Sequence, residues 1–373
     1  MPRITSCSLA TVAFSVVAPV FAAIIMYQLD SFDPAPFPVH EFTQLPLTAP
    51  AKNVRMLQGS EFVGFGKLQE PEDIAYDDKS GTIYTGCVDG WIKRVKLNDS
   101  AVGDSAVENL VNTGGRPLGV VLGPRNEVIV ADAYKGLLNI SLDGSVEVLT
   151  NEAEGVEFKL TDAAVIAEDG TIYFTDASHK HNLHDAWHDV LGGKPYGRLI
   201  SFDPITRKSK VLVRDLYFAN GIEISPNQDY VVFCETPMRR CRKYYIQGKD
   251  KGRVESFIEN LPGLPDNIHY DGQGHYWIAL ATEFDRFWDL MYKYPVIRKC
   301  LAIIMKYNRN YAIAKNSGVF VLDLEGKPTA HYQDPGLTLI STGVKIGNHL
   351  YCGSIVYPYI ISLDLTKHPA IPI

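Results

Sequence analysis

Short apolar runs dense in Tyr, Val, Ile and Trp recur along the chain, each introduced by a turn rich in Asp, Gly or Asn. The copies read GTIYTGCVDGWIKRV, NEVIVADAYKGLLNIS, GTIYFTDAS, QDYVVFCETPMRRCRKYYI, GHYWIALAT and NHLYCGSIVYPYIISLDL, centred at Tyr84, Ile129, Tyr173, Val231, Trp277 and Tyr351. Most intervals are about 45 to 60 residues, which leaves room for four short strands per unit. Hairpins such as LISFDPITRKSKVLV and GVFVLDLEGKPTAHY supply further strands within a unit. Six copies predict an all-β chain, a six-bladed β-propeller.

Two stretches break the period. HKHNLHDAWHDVL (179–191) and FDRFWDLMYKYPVIRKCLAIIMKYN (284–308) space their apolar residues helically. They are predicted to be two helical insertions capping one face of the propeller, the second of them closing a substrate pocket or, as the alternative, resting on a membrane. The polar positions carry a pattern of their own. QEPEDIAYD places Glu72 and Asp73 before an apolar strand, FKLTDAAVIAEDG places Asp162, LYFANGIEISP places Asn220, and LPGLPDNIHYDG places Asp266 and Asn267. Taken alone, each is a turn residue at a strand start. Taken together they occupy equivalent positions on the innermost strands of four blades, and so converge on the central axis. Oxygen-only donors arriving from separate blades suit a hard, irregularly coordinated cation, namely Ca2+. No histidine or thiolate stands at these positions to favour zinc or copper.

Composition narrows the remaining choices. The chain has 373 residues, is 46% apolar and 21% charged, and carries a net charge of −7. It can bury a large core, and it lacks the basic excess of a nucleic-acid surface. After Arg3, residues 4–29 contain no charge, which predicts a signal peptide or signal anchor over 1–29 and entry to the secretory pathway. Endoplasmic reticulum or vacuole, with membrane attachment through this segment, is the expected location. A Pro-rich stretch predicts an extended linker over 30–60, leaving the propeller to 61–373. Asn98 and Asn139 head glycosylation triplets. Cys234 and Cys241 flank ETPMRR and can bridge a hairpin, although spacing alone leaves the pairing open.

From Glu72 onward the motifs NTGGRPLGV, KLTDAAV, DLYFANGIEISP, FCETPMRRCRKYYI and LPGLPDNIHYDGQGHYWIAL resemble the plant strictosidine synthase-like proteins. That family is grouped with paraoxonases and gluconolactonases, all six-bladed propellers. The resemblance implies a central metal held by Glu72, Asp162, Asn220, Asp266 and Asn267, with Asp266 as the catalytic carboxylate. Paraoxonases carry asparagine where this chain has Asp162, so three carboxylates would leave a calcium site with a net negative charge. The resemblance also shows what is missing. Leu118 and Ala133 stand where paraoxonase histidines would be, and Ser341 takes the place of the synthase glutamate. A hydroxyl cannot serve as a carboxylate base near neutral pH. The expected activity is therefore calcium-assisted hydrolysis of a small ester or lactone, with His179, His181, His184 or His188 as a substitute base. A strictosidine-synthase-type lyase and a non-catalytic metabolite-binding propeller are the alternatives.

Overall fold

Each predicted apolar centre lies on the second strand of a four-stranded meander: Thr82–Gly86, Val128–Asp132, Ile172–Ser178, Tyr230–Glu235, His275–Glu283 and His349–Ser354. These are fully buried runs with little alternation, because the strand is covered by a neighbouring blade on each side. The computed structural model describes residues 13–38, 42, 44–98, 101–308 and 314–373. Among the described residues six of its seven sheets are blades in chain order, beginning at Ala75, Pro117, Leu160, Ala219, Gly263 and Ile340, and the seventh is a short hairpin of Glu152–Ala153 and Val156–Glu157. The all-β, six-bladed propeller expected from the repeats is the architecture present.

The ring closes through its termini. Ser60–Val63 pairs antiparallel with Ile360–Asp364 and becomes the outer strand of the sixth blade. Ala51–Asn53 extends the fifth blade, parallel to Pro328–Gln333 and antiparallel to Ile371–Pro372. The N-terminal segment is thus laid against the propeller for part of its length, with Phe37, Ala49 and Met56 buried. Apolar clusters fill the spaces between blades. One joins Val232, Ile258, Ile268, Tyr276 and Phe320 from the fourth and fifth blades. Cys234 and Cys241 face each other across two antiparallel strands and form a disulfide.

Both insertions are helical. Helix α1 (Ala186–Gly192) follows a tight turn at Leu183–Asp185, and helices α2 (Arg286–Lys293) and α3 (Pro295–Tyr307) form the second. Asp285 caps α2 by accepting from the amides of Phe287 and Trp288, and Pro295 begins α3 while disfavouring helix at Tyr294. Each insertion joins the second strand of its blade to the third. In a meander that connection emerges on the face where the first strand starts, so the cap covers the end that carries the axial polar residues.

The cap has its own core of Phe37, Leu191, Trp288, Met291, Tyr292 and Leu301. Arg298 fixes it to the rest of the chain. Its guanidinium is buried and donates to the carbonyls of Met291, Leu191 and Ala35 at 3.0, 2.7 and 2.6 Å, with Phe37 stacked 4.4 Å away. Burial lowers its pKa to about 10, which leaves it charged at neutral pH. Replacing it (Arg298→Met) strands three carbonyls and should cost the cap about 3 kcal/mol. Hydrogen exchange is expected to show lost protection over 286–307 while the blade strands stay protected. Equal loss in the blades would show that the cap is not a separate unit.

An exposed helix precedes the propeller at Ala18–Leu29, tied down where Lys299 Nζ donates to the Asp30 carbonyl at 2.9 Å. Among the described residues no helix is long and apolar enough to cross a membrane. Residues 1–12, which begin the predicted signal segment, lie outside the described residues. Asn98 is exposed just beyond a strand end. Asn139 instead sits within Gly136–Ile140, paired on both sides, with its Oδ1 buried.

Candidate functional site

The axial residues are not at strand starts, as the sequence suggested, but mostly inside the innermost strands at irregularities. Pairing with the second strand shifts register between Thr161 and Ala164, between Ala219 and Ile222, and between Pro265 and Ile268. Those breaks bracket Asp162, Asn220, Asp266 and Asn267. A bulge leaves a residue out of the ladder and re-aims its side chain, here toward the axis. Glycine makes the crowding feasible: a Cβ on Gly221 would come within 2.5 Å of the Asp266 carbonyl, and one on Gly119 within 2.7 Å of the Asp162 carbonyl. Neither neighbour is a flexible side chain that could yield.

Glu72, Asp162, Asn220, Asp266 and Asn267 are all buried, Asp266 the most open of them at 9%. Asn267 Nδ2 donates to Glu72 Oε1 at 2.9 Å, joining the first and fifth blades across the axis. Glu72 Oε2 and Asn220 Oδ1 are buried and have no hydrogen-bond partner. Two orphaned acceptors in one place cost several kcal/mol unless something donates to them or coordinates them.

Electrostatics point the same way. Burial drives the Glu72 carboxyl well above the usual range, and Asp266, Asp73 and Asp162 add to the shift. Asp162 moves up for the same reasons, burial first and then Asp266, Asp73 and Asp176. Burial pushes Asp266 up to about 7, with the Asn220 amide opposing and Asp73 reinforcing. Mutual repulsion among buried carboxylates is the state that a cation or protons relieve.

Among the described residues no three His, Cys, Asp or Glu side chains are gathered into a group that could hold a metal. A cation on the axis would therefore depend on the Asn220 and Asn267 amide oxygens beside the carboxylates, as hard cations accept. The two orphaned oxygens and the all-oxygen chemistry fit a calcium ion better than zinc or copper.

Sequence reasoning missed a second layer. His269 Nε2 lies 2.8 Å from Asp73 Oδ1, and its Nδ1 lies 3.9 Å from Glu223 Oε2. Burial disfavours the imidazolium, yet Asp73 and Glu223 together raise its pKa. Asp73 also accepts from Thr342 Oγ1 at 2.9 Å and from the Val120 amide at 3.1 Å. The signal was present in NIHYD, because residues two apart on a strand share a face, and His269 follows Asn267 by two.

Ser341 Oγ donates to the Glu72 carbonyl at 2.6 Å, so the hydroxyl in the synthase glutamate's place holds a candidate metal ligand in position. Leu118 and Ala133 lie in an apolar cluster with Leu160, Ala177, Val190 and Phe218.

Beneath the cap lies a cavity of about 880 Å³. Its walls include Tyr196 and Gly192 at the third blade, and Thr338, Leu339 and Val356 at the sixth. In a six-membered ring the third and sixth blades are opposite, so the cavity stretches over the capped face, and none of the five axial residues lines it. Of the four insertion histidines, His181, His184 and His188 line it, and His179 does not. His184 and His188 turn Nδ1 toward Asp185, at 3.1 and 3.7 Å. Burial and the neighbouring His188 hold His181 below its usual pKa, leaving it neutral at pH 7.

A six-bladed propeller with a buried acid–amide cluster on its axis and a cavity on its capped face defines the class of protein. Residues 162–249 match the family described as strictosidine synthase, and residues 51–95 the one described as strictosidine synthase-like, N-terminal. The chain is 56% identical to strictosidine synthase-like 6 of Arabidopsis thaliana, over 96% of each chain. It is 32% identical to the adipocyte plasma membrane-associated protein of Gallus gallus, over 95% of this chain and 89% of the other. The chain belongs to the strictosidine synthase-like family.

Solved structures agree on the fold. A gluconolactonase from Xanthomonas campestris superposes with a TM-score of 0.59 at 16% identity, over 86% of this chain and 96% of that one. Regucalcin, a calcium-binding protein from Agrobacterium tumefaciens, gives 0.58 at 14% identity, over 85% and 95%.

Proposed function

We propose that the chain is a calcium-assisted hydrolase of a small ester or lactone, working on the propeller axis below the capped cavity. The observation that carries this reading is the buried oxygen cluster with its two unpartnered acceptors, Glu72 Oε2 and Asn220 Oδ1. Glu72, Asp162, Asn220, Asp266 and Asn267 would hold the ion, which supplies charge to polarise the substrate's acyl oxygen. Asp266 is the most open carboxylate of the set and would serve as the proton acceptor. It takes a proton from water as the water oxygen bonds to the acyl carbon, and returns a proton to the departing alkoxide as the acyl carbon–oxygen bond breaks. His181, lining the cavity, would be the insertion histidine to assist.

The lyase alternative loses ground to Ser341, whose hydroxyl is engaged with the Glu72 backbone. A gluconolactonase and a calcium-binding protein sharing the fold are consistent with this chemistry. The Cys234–Cys241 disulfide suits an oxidising, secretory compartment. Exposed apolar side chains support membrane attachment on the cap side, with Phe21, Ile24 and Ile25 on the N-terminal helix and Leu290, Val296 and Ile304 on the cap. Turnover of aryl esters and lactones, assayed with and without a chelator, tests the activity. Chelator-sensitive hydrolysis is the expected result, and no turnover of any ester or lactone would overturn it.

A further inference from the structure

The capped cavity has a charge pattern that the hydrolase reading does not use. Three lysines line it, and only one is neutralised: Lys306 Nζ lies 3.1 Å from Asp30. Lys180 and Lys194 have no ion-pair partner among the described residues. Both line the cavity together with His181. Of the lining acids, Asp30 is paired with Lys306, and Asp185 is faced by His184 and His188. Asp33 alone remains, exposed to solvent.

The rest of the lining is mixed, with Phe32, Trp187 and Tyr196 beside His181, His184 and His188. Phe32 packs edge-on against His188 at 5.2 Å, His188 lies beside His181 at 6.4 Å, and His181 meets Tyr196 at 5.8 Å, forming a wall of rings. Trp187, Leu191, Met305 and Leu339 add apolar surface. A volume of about 880 Å³ lies in the range that encloses a small organic molecule.

We infer that the cavity selects a carboxylate-bearing amphiphile, with the carboxylate at Lys180 and Lys194 and the apolar body against the ring wall and Trp187. The two lysines without an ion-pair partner favour an anionic group on the ligand, and the rings and aliphatic side chains favour a flat or alkyl body. That such a molecule is also the substrate, an ester or lactone carrying a free acid elsewhere, rests on the hydrolase reading. That it binds does not.

A matched pair of probes separates the two claims: 11-(dansylamino)undecanoate and its uncharged primary amide, titrated by fluorescence against the full chain. The wild type is expected to bind the carboxylate at least about tenfold tighter than the amide, with high salt narrowing the gap. Lys180→Gln together with Lys194→Gln should bring the two affinities within about twofold by weakening the carboxylate alone. Trp187→Ala should weaken both probes. Equal affinities in the wild type, a preference that survives removal of the lysines, or indifference of both probes to Trp187→Ala would each overturn the assignment. Probe binding requires neither turnover nor metal. The expected pattern without any ester hydrolysis would therefore uphold the cavity and reject the hydrolase.

Discussion

Asp266→Asn should abolish most hydrolysis while leaving the metal-free protein more stable at alkaline pH. The two effects follow from one property of the site. Asp266 is buried beside other carboxylates, and burial lifts its pKa to about 7. As a proton acceptor its removal should lower kcat/KM by about 10²- to 10⁴-fold. The stability effect has the opposite sign. A carboxyl whose folded pKa is raised binds protons more tightly in the folded state than in the unfolded one. Its contribution is fully present below the ordinary carboxylate range, near pH 4, and is lost as pH rises through about 7. Asparagine imitates the protonated form and cannot ionise. Denaturation at pH 8 without calcium should therefore find the variant at least as stable as the wild type. Loss of activity with an equal loss of stability would mark Asp266 as a packing residue instead.

Calcium should stabilise the wild type, and more strongly as pH rises. At a hundredfold excess over its Kd an ion that binds only the folded state adds about 2.7 kcal/mol, a rise of a few degrees in Tm. Glu72, Asp162 and Asp266 all have raised carboxyl pKa values, chiefly from burial. Protons therefore compete with the ion at the same oxygens, and affinity should fall as pH drops below about 7. Glu72→Gln keeps the shape of the side chain but removes a charged ligand and leaves an amide among the donors. It should erase the calcium-dependent shift at every pH. Its Oε1 equivalent can still face Asn267, so the metal-free fold should persist.

The sequence exposed the architecture because second strands in a propeller are buried on both sides. Each becomes an uninterrupted apolar run, and Tyr84, Ile129, Tyr173, Val231, Trp277 and Tyr351 all fall on one. The helical insertions were legible for a similar reason, since their period differs from that of the strands. The axial cluster was legible in part. Acid and amide types at repeated positions mark the axis, but pairing irregularities at Thr161–Ala164 and Ala219–Ile222 decide where each side chain aims. Register shifts of that kind leave little trace in composition.

His269 was passed over because a lone histidine on a strand usually fills a half-buried site. Only the fold brings Asp73 from the first blade and Glu223 from the fourth against it. Burial of Phe37 in the cap, about 250 residues from the helices it meets, is also a product of tertiary contact alone. A Pro-rich stretch reads as a linker whether or not a surface awaits it. Asn139 shows the same limit: its triplet is intact in sequence, yet its amide oxygen lies inside a blade.

The central claim is that the axial oxygens hold calcium. Calorimetric titration of the metal-free wild type with calcium at pH 8 tests it directly, with Glu72→Gln run in parallel. A saturable isotherm of one ion per chain, weakened at pH 5.5 and absent in Glu72→Gln, is the result predicted. No binding heat and no shift in Tm in the wild type, or an isotherm that Glu72→Gln leaves unchanged, would contradict it.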